Sequence, residues 1–265
     1  MSKIIKVGCA IPTEGHTQPE ALDSLLLMSI WMGKLETESK ILSELAGVYS
    51  PEFYKGWELR EELAKNGVRF EFYWMAAGRL FTPFAREILA DNAMNHGMDY
   101  LFFVDDDMIV PQDIFYRLWR HNKDIVAALA FTRNPPHEPV LYTTHEGFEK
   151  GREYFITNSV KNYPKDKLVR VDAVGFGCVL IKTEVFKKVA KPWFMSTSPT
   201  GEDILFCVNA GKAGVKIYSD TSLKIGHIGK PEIITETTFE KYHPKESLDK
   251  QAAHTKYIEP VERLA

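Results

Sequence analysis

Three cysteines in 265 residues are too few and too scattered for a disulfide framework. Cys9, Cys178 and Cys207 are odd in number and each lies in an apolar stretch, so they read as buried thiols in a reducing compartment, and a cytoplasmic location is expected. Long hydrophobic runs are missing as well. The stretch around Leu25 to Trp31 is short and follows Asp23, and the N-terminus lacks a secretory h-region, so no transmembrane segment is expected and membrane contact would be peripheral. Net charge is almost absent, with 33 basic against 36 acidic side chains, which removes any requirement for a nucleic-acid partner. Neither a G-x-G-x-x-G fingerprint nor a Gly-rich phosphate loop with a following lysine occurs, and there are no internal repeats.

What remains is an ordinary globular composition, 45% apolar and 26% charged, in a chain long enough for one large α/β domain or two small ones. The pattern alternates. Ile4 to Ile11 reads as a buried strand stopped by Pro12, with a polar loop at Thr13 to His16. A helix begins near Pro19 with Leu22, Leu25, Leu26 and Ile30 at helical spacing, and further helix is expected from Lys34 to Lys65, broken at Ser50-Pro51. Val68 to Trp74 is a second strand, and Pro83 to His96 a helix carrying Phe84, Ile88, Leu89 and Met94 along one side. Tyr100 to Val104 is an apolar run before Asp105, followed by a helix after Pro111 and a strand from Ile125 to Phe131.

Thr132 to Lys167 reads as an irregular insertion over the active face, whose residues would choose the acceptor. Strand, helix and strand recur from Val169 to Tyr218, and the segment from Pro231 onward is expected to be a docked or mobile tail with a short helix near Glu246 to Tyr257. Alternation of this kind predicts a three-layer α/β/α sandwich with a mostly parallel central sheet, whose ligands bind beyond the carboxyl ends of the strands.

Chemistry concentrates at three places. Leu101-Phe102-Phe103-Val104 runs into Asp105-Asp106-Asp107, three adjacent anions whose mutual repulsion a hard divalent cation would relieve. In extended backbone, Asp105 and Asp107 would face one site while Asp106 turns aside. Gly201-Glu202-Asp203 opens a helix, where carboxylates either cap or serve as a base. His227 lies between Gly226 and Gly229 at the end of a short strand, where imidazole is a plausible metal ligand. Trp193, in Lys191-Pro192-Trp193-Phe194, is a candidate for stacking on a sugar face.

The order and spacing of these pieces resemble the GT-A glycosyltransferases, particularly the family 2-like enzymes of bacteria and bacteriophages. The resemblance spans Ile4 to Gly229, and the expected domain is 1–230 with a tail at 231–265. It runs from Ala10-Ile11-Pro12-Thr13 through Ala85-Arg86, Phe103 to Met108 and Val174 to Ile181, then Gly201-Glu202-Asp203, to Gly226-His227-Ile228-Gly229. Glu87 follows Arg86 where the family commonly has asparagine.

The resemblance implies a GT-A, Rossmann-like fold and transfer of a sugar from a nucleotide-sugar, a UDP-sugar being the first choice, with Mn2+ or Mg2+. It implies that Thr13 and Glu14 lie in the base-binding loop and that Arg86, Asp105 and Asp106 meet the donor nucleotide. The metal would be held by Asp105, Asp107 and His227. Gly175, Phe176 and Gly177 would line the donor sugar or acceptor, and Asp203 would be the base of an inverting enzyme, with Glu202 the second choice. A saccharide or glycan is the first-ranked acceptor and DNA with a hydroxylated base the second. The rivals are a nucleotidyltransferase acting on a sugar phosphate and a non-catalytic sugar-binding protein. The sequence leaves the stereochemical outcome and the oligomeric state open.

Overall fold

A computed structural model describes residues 3–13, 17–44, 63, 67–149, 152–196, 200–229, 233–244 and 260–261. The chain opens with β1 (Lys3–Thr13), α1 (Pro19–Glu44), β2 (Val68–Gly78), α2 (Thr82–Asn95), β3 (Tyr100–Val104), β4 (Met108–Ile109) and α3 (Ile114–Trp119). There follow β5 (Ile125–Leu129), β6 (Leu141–Glu149), β7 (Arg152–Ser159), β8 (Leu168–Val171), β9 (Ala173–Val174), β10 (Cys178–Lys182) and α4 (Glu184–Lys188). The last elements are α5 (Glu202–Lys212), β11 (Ile217–Lys224), β12 (Gly226–Ile228), β13 (Ile233–Ile234), α6 (Glu236–Tyr242) and β14 (Pro260–Val261).

Eight strands form the central sheet in the order β14-β8-β11-β5-β10-β3-β1-β2. β2, β1, β3, β5, β11 and β14 point one way, while β8 and β10 oppose them, so the sheet is mostly parallel in direction. Period-two alternation divides the strand side chains between two cores. Leu101, Phe103, Ile125, Ala127, Val179 and Ile181 meet α2, α4, α5 and α6 on one face. Phe102, Val104, Val126, Ala128, Cys178 and Leu180 meet α1 and α3 on the other. The result is the three-layer α/β arrangement that the alternation predicts. All three cysteines are buried and free.

Several local expectations are corrected. β1 runs through Pro12 to Thr13, since pairing with β3 stops at Ala10 and one edge of β1 is already open where proline lacks its donor. α1 buries Ala21, Leu25, Met28, Met32 and Leu35, leaving Leu22, Leu26 and Ile30 exposed. In α2 the buried face is Pro83, Ala85, Arg86, Leu89, Ala90 and Ala93, because small side chains let the helix lie close on the sheet, and Phe84 and Ile88 point outward. The insertion expected to be irregular contains a regular hairpin, β6 with β7, joined to β9 in a small sheet. The rest of the Lys34 to Lys65 segment beyond Glu44, apart from buried Leu63, and the short helix expected near Glu246 lie outside the described residues. Among the described residues no helix is long and apolar enough to cross a membrane.

Residues 233–244 pack against the domain. β13 pairs with β12, Phe239 stacks on Phe131 with ring centroids 5.2 Å apart, and Glu236 accepts from Tyr163 Oη at 2.8 Å and from Lys165 and Lys224 Nζ at 2.5 and 2.6 Å. Those partners, the two ammonium groups foremost, hold the Glu236 carboxyl below its ordinary range against the opposing effect of burial.

Candidate active site

The three consecutive aspartates follow the carboxyl end of β3, but their backbone is not extended. The carbonyl of Asp105 accepts from the amide of Met108 at 3.2 Å, which closes a turn and sends the three carboxylates in different directions. Each finds its own partner, and this dispersal makes three adjacent anions tolerable. It also replaces the expectation that Asp105 and Asp107 share one face.

Asp105 turns inward to Arg86 of α2. Both of its oxygens lie 2.9 Å from Arg86 Nη2, while Nη1 donates to the carbonyl of Phe176 at 3.1 Å. Nε is 3.2 Å from Glu202, an ion-pair distance without the alignment of a hydrogen bond. The guanidinium also lies 5.4 Å from the centroid of Phe103 and 5.6 Å from that of Phe176. With its side chain 3% exposed and both Nη atoms donating to protein, Arg86 is a buried counter-ion, which does not fit the phosphate contact expected of it. Glu87, next in sequence, accepts from the amide of Phe194 at 2.8 Å and faces a different part of the structure.

One guanidinium therefore serves Asp105, Glu202 and Asp203. Burial pushes the Asp105 carboxyl above its ordinary range despite Arg86. Burial, then the neighbouring Glu202, pushes Asp203 up to about 6, although the amides of Ile204 and Phe176 donate to it, the first at 2.7 Å. Burial alone would favour deprotonating Arg86, and the three carboxylates reverse that direction.

Asp106 turns toward the end of β1, where Thr13 and Thr17 donate to it, the latter at 3.3 Å. Thr13 is thus brought to the acidic turn, and Glu14 lies outside the described residues.

Asp107 faces His227. The small sheet β13-β12-β4 sets this pair: His227 is opposite Met108, and the amide of Ile228 donates to the carbonyl of Asp107 at 2.9 Å. Gly226 permits the approach, since a Cβ there would stand 2.8 Å from Ile233 Cγ2. His227 Nδ1 is 2.8 Å from the carbonyl of Phe131, so this nitrogen carries the hydrogen, and burial lowers the imidazole from its ordinary value. In the neutral form that burial favours, the ring turns the lone pair of Nε2 to Asp107 Oδ2, 3.2 Å away. In that form two acceptors face each other without a hydrogen bond. They need a positive charge, and Arg133, the second residue after Phe131, supplies one by ion pairing with Asp107.

This pair, rather than a triad with Asp105, could hold a metal. A carboxylate oxygen and an imidazole nitrogen facing each other at 3.2 Å could be two ligands of one divalent cation. A carbonyl on the far nitrogen of the ring is the usual orienting contact of a metal-bound histidine. Among the described residues no three His, Cys, Asp or Glu side chains form a ready metal cluster, so the remaining ligands would come from phosphate and water.

The glycine-rich segment after β9 supports the turn from below. Gly177 accepts from the amide of Asp105 at 2.9 Å, and a Cβ on it would press on Met108 at 3.1 Å, while one on Gly175 would meet Val140 at 3.0 Å. Phe176 is fully buried among Phe103, Phe194 and Phe206. Its side chain is core and leaves no surface for a sugar. Trp193 is likewise 5% exposed, with its N–H 3.0 Å from the carbonyls of both Phe186 and Val189, so the stacking platform expected of it is a core residue. Sequence reasoning missed Phe131 and Arg133. The available signal was a basic residue just beyond the carboxyl end of a parallel strand.

No protein-family model matches the chain, and no curated protein matches it. Among solved structures it is similar to A197 from STIV, with TM-score 0.46 and 17% identity over 87% of this chain and 94% of that one. It is similar to apo UDP-glucose pyrophosphorylase at TM-score 0.45 and 8% identity, covering 95% of this chain and all of the other. A structure of GalNAc-T7 with UDP, GalNAc and Mn2+ gives 0.45 and 13%, covering 83% of this chain and 43% of that one. These are distant likenesses, and nothing about activity follows from them.

Proposed function

We propose that the protein is a glycosyltransferase that moves a sugar from a nucleotide-diphosphate sugar to an acceptor hydroxyl, using Mn2+ or Mg2+ at Asp107 and His227. The observation that carries this reading is the placement of His227, anchored through Nδ1 on the Phe131 carbonyl, with Nε2 3.2 Å from the carboxylate of Asp107. Bound there, the cation would offset the charge that develops on the leaving diphosphate.

The other residues have separate tasks. Arg86 fixes Asp105 and so the shape of the turn, and Asp106 ties that turn to the Thr13 loop on the donor side. Asp203 supports the role of base. Its affinity for a proton is raised to about 6, matched to taking one from a hydroxyl near neutrality. In direct displacement the acceptor oxygen bonds to the anomeric carbon and gives its proton to Asp203. The bond from that carbon to the diphosphate oxygen breaks, releasing the nucleoside diphosphate. Saccharide acceptors rank first, with the β6–β7 hairpin and its flanks as the selecting surface.

A thermal-shift panel of UDP-, GDP-, ADP- and TDP-sugars with and without Mn2+ tests this reading, coupled to assay of nucleoside diphosphate release. One donor should raise the melting temperature only with the metal, and slow release should follow. Exchange of pyrophosphate instead would make the protein a nucleotidyltransferase. An Asp107→Ala variant with unchanged metal-dependent donor binding would remove the metal assignment.

A further inference from the structure

We propose that Arg133 is an exchangeable cation of this site, neutralising Asp107 while no donor is bound and moving to the donor's diphosphate when a divalent metal takes its place at Asp107. This rests on the metal reading of Asp107 and His227 given above, and it adds a donor ligand outside the residues that the sequence pattern marks.

The two arginines of the acidic turn differ in kind. Arg86 is buried and bonded on several sides, whereas the side chain of Arg133 is 51% exposed and pairs, among the described residues, with Asp107. Moving Arg86 would strand buried carboxylates. Moving Arg133 releases a guanidinium that solvent already reaches, while the metal takes over the charge balance at Asp107, whose side chain is 19% exposed. A metal ion and a guanidinium also repel each other at one carboxylate, so occupation by the first favours departure of the second.

The backbone beneath Arg133 is held in place. Thr132 donates its amide to the carbonyl of Glu138 at 2.8 Å, and its hydroxyl accepts from the Glu138 amide at 2.9 Å. His137 Nδ1 is 3.0 Å from the carbonyl of Thr132, and α6 secures the far side through His243 Nε2, 3.0 Å from the carbonyl of Pro136, and Tyr242 against His137. With both ends of the loop clamped, rotation about the Arg133 side chain is the available movement. Its reach then stays centred on Asp107 and His227, beside which a donor diphosphate would bind. A guanidinium fork suits such oxygens better than it suits a single carboxylate edge.

The test compares wild type, Arg133→Gln and Arg133→Lys by calorimetric titration with Mn2+ alone and with UDP in saturating Mn2+. Because the side chain is half-exposed, the melting temperatures should agree closely, and circular dichroism checks the fold. Removing a competing cation should tighten binding of Mn2+ alone by about three- to fivefold in Arg133→Gln. The same variant should bind UDP about tenfold more weakly, with Arg133→Lys between the two. Equal or weaker Mn2+ binding by Arg133→Gln, or undiminished UDP binding, overturns the exchange. If wild type itself binds neither Mn2+ nor UDP, the underlying site assignment fails, a result distinct from normal binding that is indifferent to residue 133.

Discussion

Arg86 presents a single nitrogen, Nη2, to both oxygens of Asp105 at 2.9 Å each, so one buried cation fixes the acidic turn while its other nitrogens reach the Phe176 carbonyl and Glu202. Arg86→Met should therefore destabilise the protein by about 3–5 kcal/mol at pH 7.5, the cost of leaving buried carboxylates unpaired. Urea unfolding measures it. Part of the loss should be recovered at pH 5, where the released carboxyls take up protons, and an equal loss at both pH values would contradict this account.

Asp203 predicts a pH dependence of both rate and stability. As a base it must be ionised, so kcat/KM should rise with pH through an apparent pKa near 6. Asp203→Asn should lower kcat by about 10²- to 10⁴-fold. The stability effect has the opposite sense. A carboxyl that binds its proton more tightly when folded favours folding fully below about pH 4, the unfolded range, and loses that contribution as pH climbs through about 6. Asp203→Asn should consequently raise the melting temperature at pH 7.5 and change it little at pH 4.

The sheet and the acidic strand tip were legible because hydrophobic period and a charged run right after it are local signals. Tyr100 to Val104 appears with the predicted bounds. What was not legible depended on partners far along the chain. The pattern gave Phe84 and Ile88 to the core of α2, but close packing selected Ala85, Ala90 and Ala93. Asp105 and Asp107 looked like a matched pair because an extended backbone was assumed, and one turn hydrogen bond from Met108 separates them. Trp193 and Phe176 are indistinguishable by sequence from ligand-facing aromatics, and only packing shows that they are buried. Arg133 sits in an aperiodic loop, where its place beyond the end of a strand is the one signal it carries.

His227→Ala should leave the sheet intact while weakening Mn2+ binding, in the presence of UDP, by at least about tenfold. Electron paramagnetic resonance of free Mn2+ reports this directly. Unchanged affinity would place the metal elsewhere.

Phe239 is buried against Phe131, whose carbonyl orients His227. Phe239→Ala should cost about 3–5 kcal/mol through the cavity it leaves. It should also speed hydrogen exchange at the amides of Thr132 and His137. Protection unchanged at both positions would show that α6 does not brace this loop.

Two contacts that frame the acidic turn join residues remote in sequence, with Arg86 and Phe176 separated by 90 positions and Asp107 and His227 by 120. Such pairings close only after the intervening chain has condensed, so the Asp107–His227 pair is a late product of folding rather than a nucleus for it. Capture of a paramagnetic ion at Asp107 during refolding would then mark arrival at the native topology, a step that helical circular dichroism, which responds to local order, would register too early.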